Sequence, residues 1–209
     1  MKRLVARAAA TIALGVCAVS GLTPAATASP TFAIEAGGAT FVSGADFDGG
    51  GPALGAALVW PLEARTPGGL GGAPIAVGLS IYAHDMGSRV VTVTDPGSGA
   101  SLGQIEDGHR DVFGAAWRLE AGPWARAGWQ LVTDAGWGYY RIEDDVRGKV
   151  FQGLSSTGFS LGASIGRALV PGTTLGLAAR YHRLFNDATG RYITAAVEWR
   201  WLGTREGSR

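Results

Sequence analysis

The chain has 209 residues, with 18 Lys and Arg against 17 Asp and Glu. That balance gives no basic excess to attract nucleic acid or an anionic surface. A single cysteine, Cys17, rules out an intrachain disulfide, and 34 glycines are too many for a helical protein.

The first 28 residues read as a secretory signal. Lys2, Arg3 and Arg7 supply positive charge, Ala8 to Val19 is apolar except for Thr11 and Gly15, and Ala26-Thr27-Ala28 is a small-x-small cleavage site. The apolar run is too short to cross a bilayer as a helix. Leu14-Gly15-Val16-Cys17 faintly resembles a lipobox, but Val16 is bulky where that box needs a small residue. Cleavage after Ala28 leaves residues 29–209, of a size for one domain, with 15 basic and 17 acidic residues once Lys2, Arg3 and Arg7 are gone. The mature chain then has no cysteine to act as ligand or nucleophile. Nor does it contain an apolar run of about 18 residues, so no transmembrane helix is expected.

Apolar residues then recur at every second position, the period of a strand with two unlike faces. Phe32, Ile34, Ala36 and Gly38 alternate with Ala33, Glu35, Gly37 and Ala39. Leu54, Ala56, Leu58, Trp60 and Leu62 alternate with Gly55, Ala57 and Val59. Ile75, Val77, Leu79, Ile81 and Ala83 oppose Ala76, Gly78, Ser80, Tyr82 and His84. Phe113, Ala115, Trp117 and Leu119 oppose Gly114, Ala116, Arg118 and Glu120. A fifth segment sets Ala125, Ala127, Trp129 and Leu131 against Arg126, Gly128, Gln130 and Val132. In a sixth, Phe159, Leu161, Ala163 and Ile165 face away from Ser160, Gly162 and Ser164, and in a seventh Leu175, Leu177, Ala179 and Tyr181 oppose Gly176, Ala178, Arg180 and His182. The eighth runs from Arg191 to Trp201, with Ile193, Ala195, Val197, Trp199 and Trp201 on one face and Thr194, Ala196, Glu198 and Arg200 on the other.

Each segment approaches the roughly 9–11 residues that a tilted strand needs to cross a membrane. The connections alternate in length. Ala121-Gly122-Pro123 and Val170-Pro171-Gly172 read as tight turns, with a longer Gly-rich connection from Ala64 to Ala73 on the same side. Opposite them lie Ser43 to Gly51, a long segment around Asp95 to His109, the acidic stretch Glu143 to Gly148, and Asn186 to Gly190. Short turns on one side and long loops on the other are the pattern of outer-membrane barrels.

A soluble sandwich or a lipocalin-like ligand-binding barrel would also alternate. The faces discriminate between these readings. A lipocalin needs an apolar interior, whereas here the second face is Gly, Ser, Ala and paired charge, and Leu, Ile, Val, Phe and Trp occupy the other. The reading is all-β: an eight-stranded antiparallel up-and-down transmembrane β-barrel with lipid outside and charge inside.

Pro171-Gly172-Thr173-Thr174-Leu175-Gly176-Leu177-Ala178-Ala179-Arg180-Tyr181-His182, followed by a last strand ending Glu198-Trp199-Arg200-Trp201, resembles the small outer-membrane β-barrel family of OmpA- and OmpX-like eight-stranded proteins. The likeness spans roughly residues 31–202. Such proteins commonly end in an aromatic residue that the insertion machinery recognises, and here Leu202 to Arg209 follow Trp201.

The inward positions give a lumen charge network of Glu35, Glu120, Asp134 and Glu198 against Arg118, Arg126, Arg180 and Arg200. Side chains fill the interior of a barrel this narrow, so charges within it should pair. Glu120 is expected to meet Arg126 across Gly122-Pro123, and Arg180 to meet Glu198. A salt-bridged plug is the expectation, with an ion pathway as the alternative. Trp60, Trp199 and Trp201 are expected to form an aromatic belt at one rim, and Phe41, Tyr139, Tyr181 and Tyr192 at the other. His84 and His182 face inward without metal-ligand spacing, so neither a metal nor a cofactor is expected.

Lipid A deacylases use this scaffold with a His-x-Ser-Asn motif. The corresponding stretch here is His182-Arg183-Leu184-Phe185-Asn186, where Leu184 replaces the nucleophile. No His-Ser constellation of a palmitoyltransferase is apparent either. The expectation is therefore a non-enzymatic outer-membrane protein of a Gram-negative cell with a structural, envelope-integrity or surface-interaction role. A small-solute pore is the alternative. Its expected partners are lipid, lipopolysaccharide and the insertion machinery, with no nucleic acid, and it is expected to be a monomer.

Overall fold

A computed structural model of the chain describes residues 29–43, 50–62, 74–146, 149–151, 154–185 and 190–202. The signal expected at 1–28 and the connection from Ala64 to Ala73 lie outside the described residues. The strands are β1 (Thr31–Ser43), β2 (Gly50–Leu62), β3 (Ile75–Thr94), β4 (Ser101–Arg126), β5 (Trp129–Val146), β6 (Lys149–Phe151), β7 (Ser155–Val170), β8 (Thr173–Leu184) and β9 (Arg191–Trp201). Each pairs antiparallel with its neighbours. β1 joins β9, and β4 joins β5, so the sheet closes on itself as an eight-stranded barrel. The three-residue β6 stands outside the ring, paired with the far end of β5.

The register sets the tilt. A path from Glu35 through Gly55, Tyr82 and Gly114 reaches Tyr140 on β5. The opposite path, through Glu198, Gly176 and Gly166, reaches Gln130 on the same strand, ten residues away. With about 3.3 Å per residue and about 4.8 Å between strands, that stagger tilts the strands by about 40°.

The two faces separate as alternation requires. Leu177 is 64% exposed and Trp117 58% exposed on the outside, with Leu119, Leu161, Ile165 and Val197 also exposed there. Arg118, Arg180, Glu120 and Glu198 are buried within. Small inward residues make room for large ones. At Gly162 a Cβ would lie 2.7 Å from Asp134 Oδ2 and 3.0 Å from Arg180 Nε, so only a glycine lets those two side chains meet over it.

Three features depart from the sequence reading. First, the β4–β5 turn is not at Ala121-Gly122-Pro123. β4 passes through Gly122-Pro123 as an irregularity, resumes pairing at Trp124 with Leu131, and turns at Ala127 and Gly128. Those two residues have φ of 52° and 81°, the conformation favoured in a two-residue hairpin loop. Second, most of the segment around Asp95 to His109 is strand. β3 and β4 stay paired out to Thr94 and Ser101, and Val90 to Thr94 is a β-branched run that favours extended backbone. Third, the interior has two layers. Charges occupy one, and a cluster of Tyr82, Met86, Val112, Tyr140, Ile142, Leu184 and Tyr192 fills the end nearer the projecting β3–β4 hairpin.

Candidate functional site

Five strands that are not all neighbours, β1, β4, β5, β8 and β9, bring the lumen charges together. Arg180 on β8 binds Asp134 on β5 through Nε–Oδ1 and Nη2–Oδ2, both 3.0 Å. It also binds Glu35 on β1 through both terminal nitrogens, with Nη2–Oε1 at 3.0 Å. Arg118 on β4 contacts the same two carboxylates at 3.2 Å each, and lies 2.8 Å from Glu120 Oε1. Arg200 on β9 donates to Glu120 at 2.7 and 3.1 Å and to Glu198 at 3.2 and 3.1 Å. Arg118 is 1% exposed and Arg180 2%. Charges this deep would be prohibitive singly, and here each carboxylate lies against at least one guanidinium.

Seven of the eight residues assigned to the network thus face the lumen, and the eighth does not. Arg126 is exposed at the end of β4, opposite Trp129 in the hairpin. Its expected partner Glu120 lies instead against Arg118 and Arg200. The misplaced turn explains the error, since moving it to Ala127-Gly128 puts Arg126 at the hairpin's last rung. Arg180 and Glu198 do not pair either. In register Arg180 stands opposite Thr194 and Glu198 opposite Gly176, so the two are offset, and Glu198 binds Arg200, its neighbour on the same face of β9.

Tyr192 does not belong to the belt. It shares the inward face of Thr194 and Glu198, is fully buried, and stacks on His182 with centroids 4.5 Å apart and planes 2° apart. Its hydroxyl is 3.2 Å from His84 Nδ1. Phe41, opposite Tyr192 in register, also turns inward against the cluster. Tyr139 is exposed outside, Tyr181 packs against Phe159 at 6.2 Å, and Trp60 lies on the outer face. Trp199 stacks on Trp201 at 5.7 Å, and Trp201 on Phe32 at 5.4 Å. At the other rim Trp137, Phe159 and Phe185 form a cluster that the sequence reading did not name, although Trp137 and Phe159 sit at outward positions of the same alternation.

His84 and His182 lie inside, their ring centroids 5.2 Å apart, and Nε2 of His182 is buried without a hydrogen-bond partner. The third histidine went unassigned in the sequence. His109 lies between Asp85 and Asp111 on the outer wall. His109 and Asp111 share a face of β4 by alternation, but only the antiparallel register of β3 and β4 brings Asp85 to them, so spacing along the chain signals the pair and not the triad.

A closed eight-stranded antiparallel ring, with its apolar residues outside and its ion pairs inside, has the fold of the small outer-membrane β-barrels. Among solved structures the chain is similar to Neisserial surface protein A, with a TM-score of 0.54 and 10% identity over 83% of this chain and 94% of that one. It is also similar to a major outer membrane protein from Thermus thermophilus (TM-score 0.49, 13% identity, 83% and 99% covered). A third is Ail, the attachment invasion locus protein of Yersinia pestis (TM-score 0.46, 12% identity, 85% and 97% covered). No family model and no curated protein matches the chain.

Proposed function

We propose that the chain is an integral outer-membrane protein of a Gram-negative cell, with its lumen plugged by side chains and a non-enzymatic role in envelope integrity or surface interaction. The observation that carries this reading is the inversion of faces. A soluble barrel could not leave Leu177, Trp117, Leu161 and Val197 exposed around its wall while burying Arg118, Arg180 and Arg200. Hydrocarbon outside makes both choices favourable.

Two observations support the plug. The ion pairs link strands across the ring, and the aromatic cluster fills the layer beside them. The absence of catalysis is argued from residues. Leu184 stands where a deacylase would need its serine, and His182 is sealed in the lumen, out of reach of a lipid lying against the outer wall. The expected partners are lipid and lipopolysaccharide along the wall, with the insertion machinery during assembly, around a monomeric barrel.

Membrane fractionation with heat-modifiable migration on gels tests the location; recovery wholly in the soluble periplasm overturns it. Planar-bilayer recording tests the plug, with silence expected and large, stable conductance steps counting against it. Mass spectrometry of lipid A from cells with and without the gene tests the lack of activity, and a changed acylation pattern overturns that.

A further inference from the structure

On the outer wall, where β3 and β4 begin to rise from the barrel, two carboxylates and an imidazole converge. His109 Nε2 lies 3.3 Å from Asp85 Oδ1 and 3.5 Å from Asp111 Oδ1, and ligand atoms of all three fall within 4.8 Å of one another. We propose that Asp85, His109 and Asp111 form a site for a divalent transition-metal ion of the zinc class.

Three arguments carry it. The first is geometric. Donors bound at about 2.1 Å around a tetrahedral centre stand about 3.4 Å apart, and the two His109 separations match that spacing. The second is electrostatic. Asp85 is directly opposite Asp111, so two carboxylates face one another across β3 and β4; Glu143, next in the row on β5, is paired with Arg141 at 3.1 Å. Like charges facing one another across strands repel, and a doubly charged cation in the row relieves the repulsion. Asp145 stands opposite His109, and its Oδ1 is buried without a hydrogen-bond partner, offering a further oxygen beside the imidazole.

The third argument is the donor set. Carboxylates alone would suit calcium or magnesium, but an imidazole nitrogen selects for zinc-like ions. His109 is 37% exposed at its side chain, and Asp85 and Asp111 are 16% and 20% exposed. The triad is therefore ordered on its inner side and open to an ion on its outer side. Asp85 is positioned further by the Gly87 amide, which donates to Oδ1 at 2.8 Å. Three protein ligands leave a coordination position for water or for an anionic group from outside.

The test uses the untagged barrel folded in detergent micelles, with zinc as the only added metal at neutral pH. One saturable zinc equivalent is expected by equilibrium dialysis, unaffected by equal calcium or magnesium. His109→Ala and Asp111→Asn should each weaken binding by at least about tenfold. His84→Ala, which alters a histidine sealed in the lumen, should leave zinc affinity unchanged. Heat-modifiable migration checks that each variant is folded. X-ray absorption at the zinc edge of the unaltered protein provides a measurement independent of any variant, with one imidazole and carboxylate oxygens expected in the first shell. Absence of saturable binding, binding untouched by His109→Ala, or a first shell without imidazole overturns the proposal. Competition by calcium at equal concentration does so as well, since it would mark a purely carboxylate site.

Discussion

Arg180 and Asp134 meet through two parallel contacts of 3.0 Å although a whole strand, β7, separates the strands that carry them. The contact exists because Gly162 lies between them in register, opposite Asp134 on one side and Arg180 on the other. On its far side the same guanidinium reaches past β9 to Glu35. A single arginine therefore ties β1, β5 and β8 together through the lumen.

Arg180→Ala should be strongly destabilising, because it leaves Glu35 and Asp134 sharing Arg118 alone. Breaking a buried pair costs about 3–5 kcal/mol. The midpoint of denaturant unfolding in detergent should fall accordingly. Adding Glu35→Ala should recover part of the loss, since one orphan carboxylate is removed. Adding Glu198→Ala should recover nothing, because Glu198 belongs with Arg200. Equal rescue by the two would mean that the charges do not pair as the geometry has them.

This contrast marks what the sequence can reveal. The face on which a side chain stands is a local property of alternation, so Glu35, Asp134 and Arg180 could be placed inside by counting in twos. Which of them touch depends on the ten-residue stagger around the ring, a property of all eight strands together. Gly122-Pro123 misled for a related reason. The pair is a strong turn signal, but Trp124 to Arg126 still gain by pairing with β5, and the chain absorbs an irregularity to keep that pairing. Tyr192 was readable, since it is two residues from Thr194 and so must share its face. Its aromatic character suggests a rim position, but the lumen beyond the charges is filled by large side chains, Tyr192 among them.

Gly162→Ala should destabilise the barrel by about 1–3 kcal/mol, the usual cost of overpacking. The new methyl would lie 2.7 Å from Asp134 Oδ2, which must move from its guanidinium partner or push β7 outward. Gly38→Ala is the matched control on β1. Its added methyl meets nothing nearer than Gly51 O at 3.6 Å, so its unfolding midpoint should shift by no more than about 0.5 kcal/mol. Equivalent losses at both positions would show that generic strand flexibility, rather than lumen space, limits stability.

Asp95 gives the tip of the β3–β4 hairpin a pH dependence. Its carboxylate accepts the amide hydrogens of Ser98 at 2.8 Å and Gly97 at 2.7 Å, and these bonds hold its pKa below the usual aspartate value. The sign follows from linkage. A lowered folded pKa contributes order that is present above the unfolded value and lost as pH falls through the folded one. Hydrogen exchange at Gly97 and Ser98 should therefore show protection at neutral pH that disappears in acid beyond the intrinsic change in rate. Asp95→Asn keeps an acceptor oxygen and should remove the pH dependence, while Asp95→Ala should remove the protection itself.

The assignment of faces is tested by two arginine positions with opposite expected outcomes. Leu177 is among the most exposed apolar side chains and stands opposite Ile165 and Val197, in the middle of an apolar band. Leu177→Arg should cost about 2–4 kcal/mol of folding into a bilayer if that band lies near the midplane. In detergent the penalty should be smaller, because the micelle yields around the charge. Arg126 is a real arginine that the sequence placed in the lumen and the fold places at an exposed hairpin end. Arg126→Ala should therefore change stability by less than about 0.5 kcal/mol, as surface substitutions do. Folding into lipid vesicles, followed by the gel shift of the folded band, measures both. A harmless Leu177→Arg would mean that Leu177 does not face hydrocarbon, and a costly Arg126→Ala that Arg126 is packed into the lumen charge network.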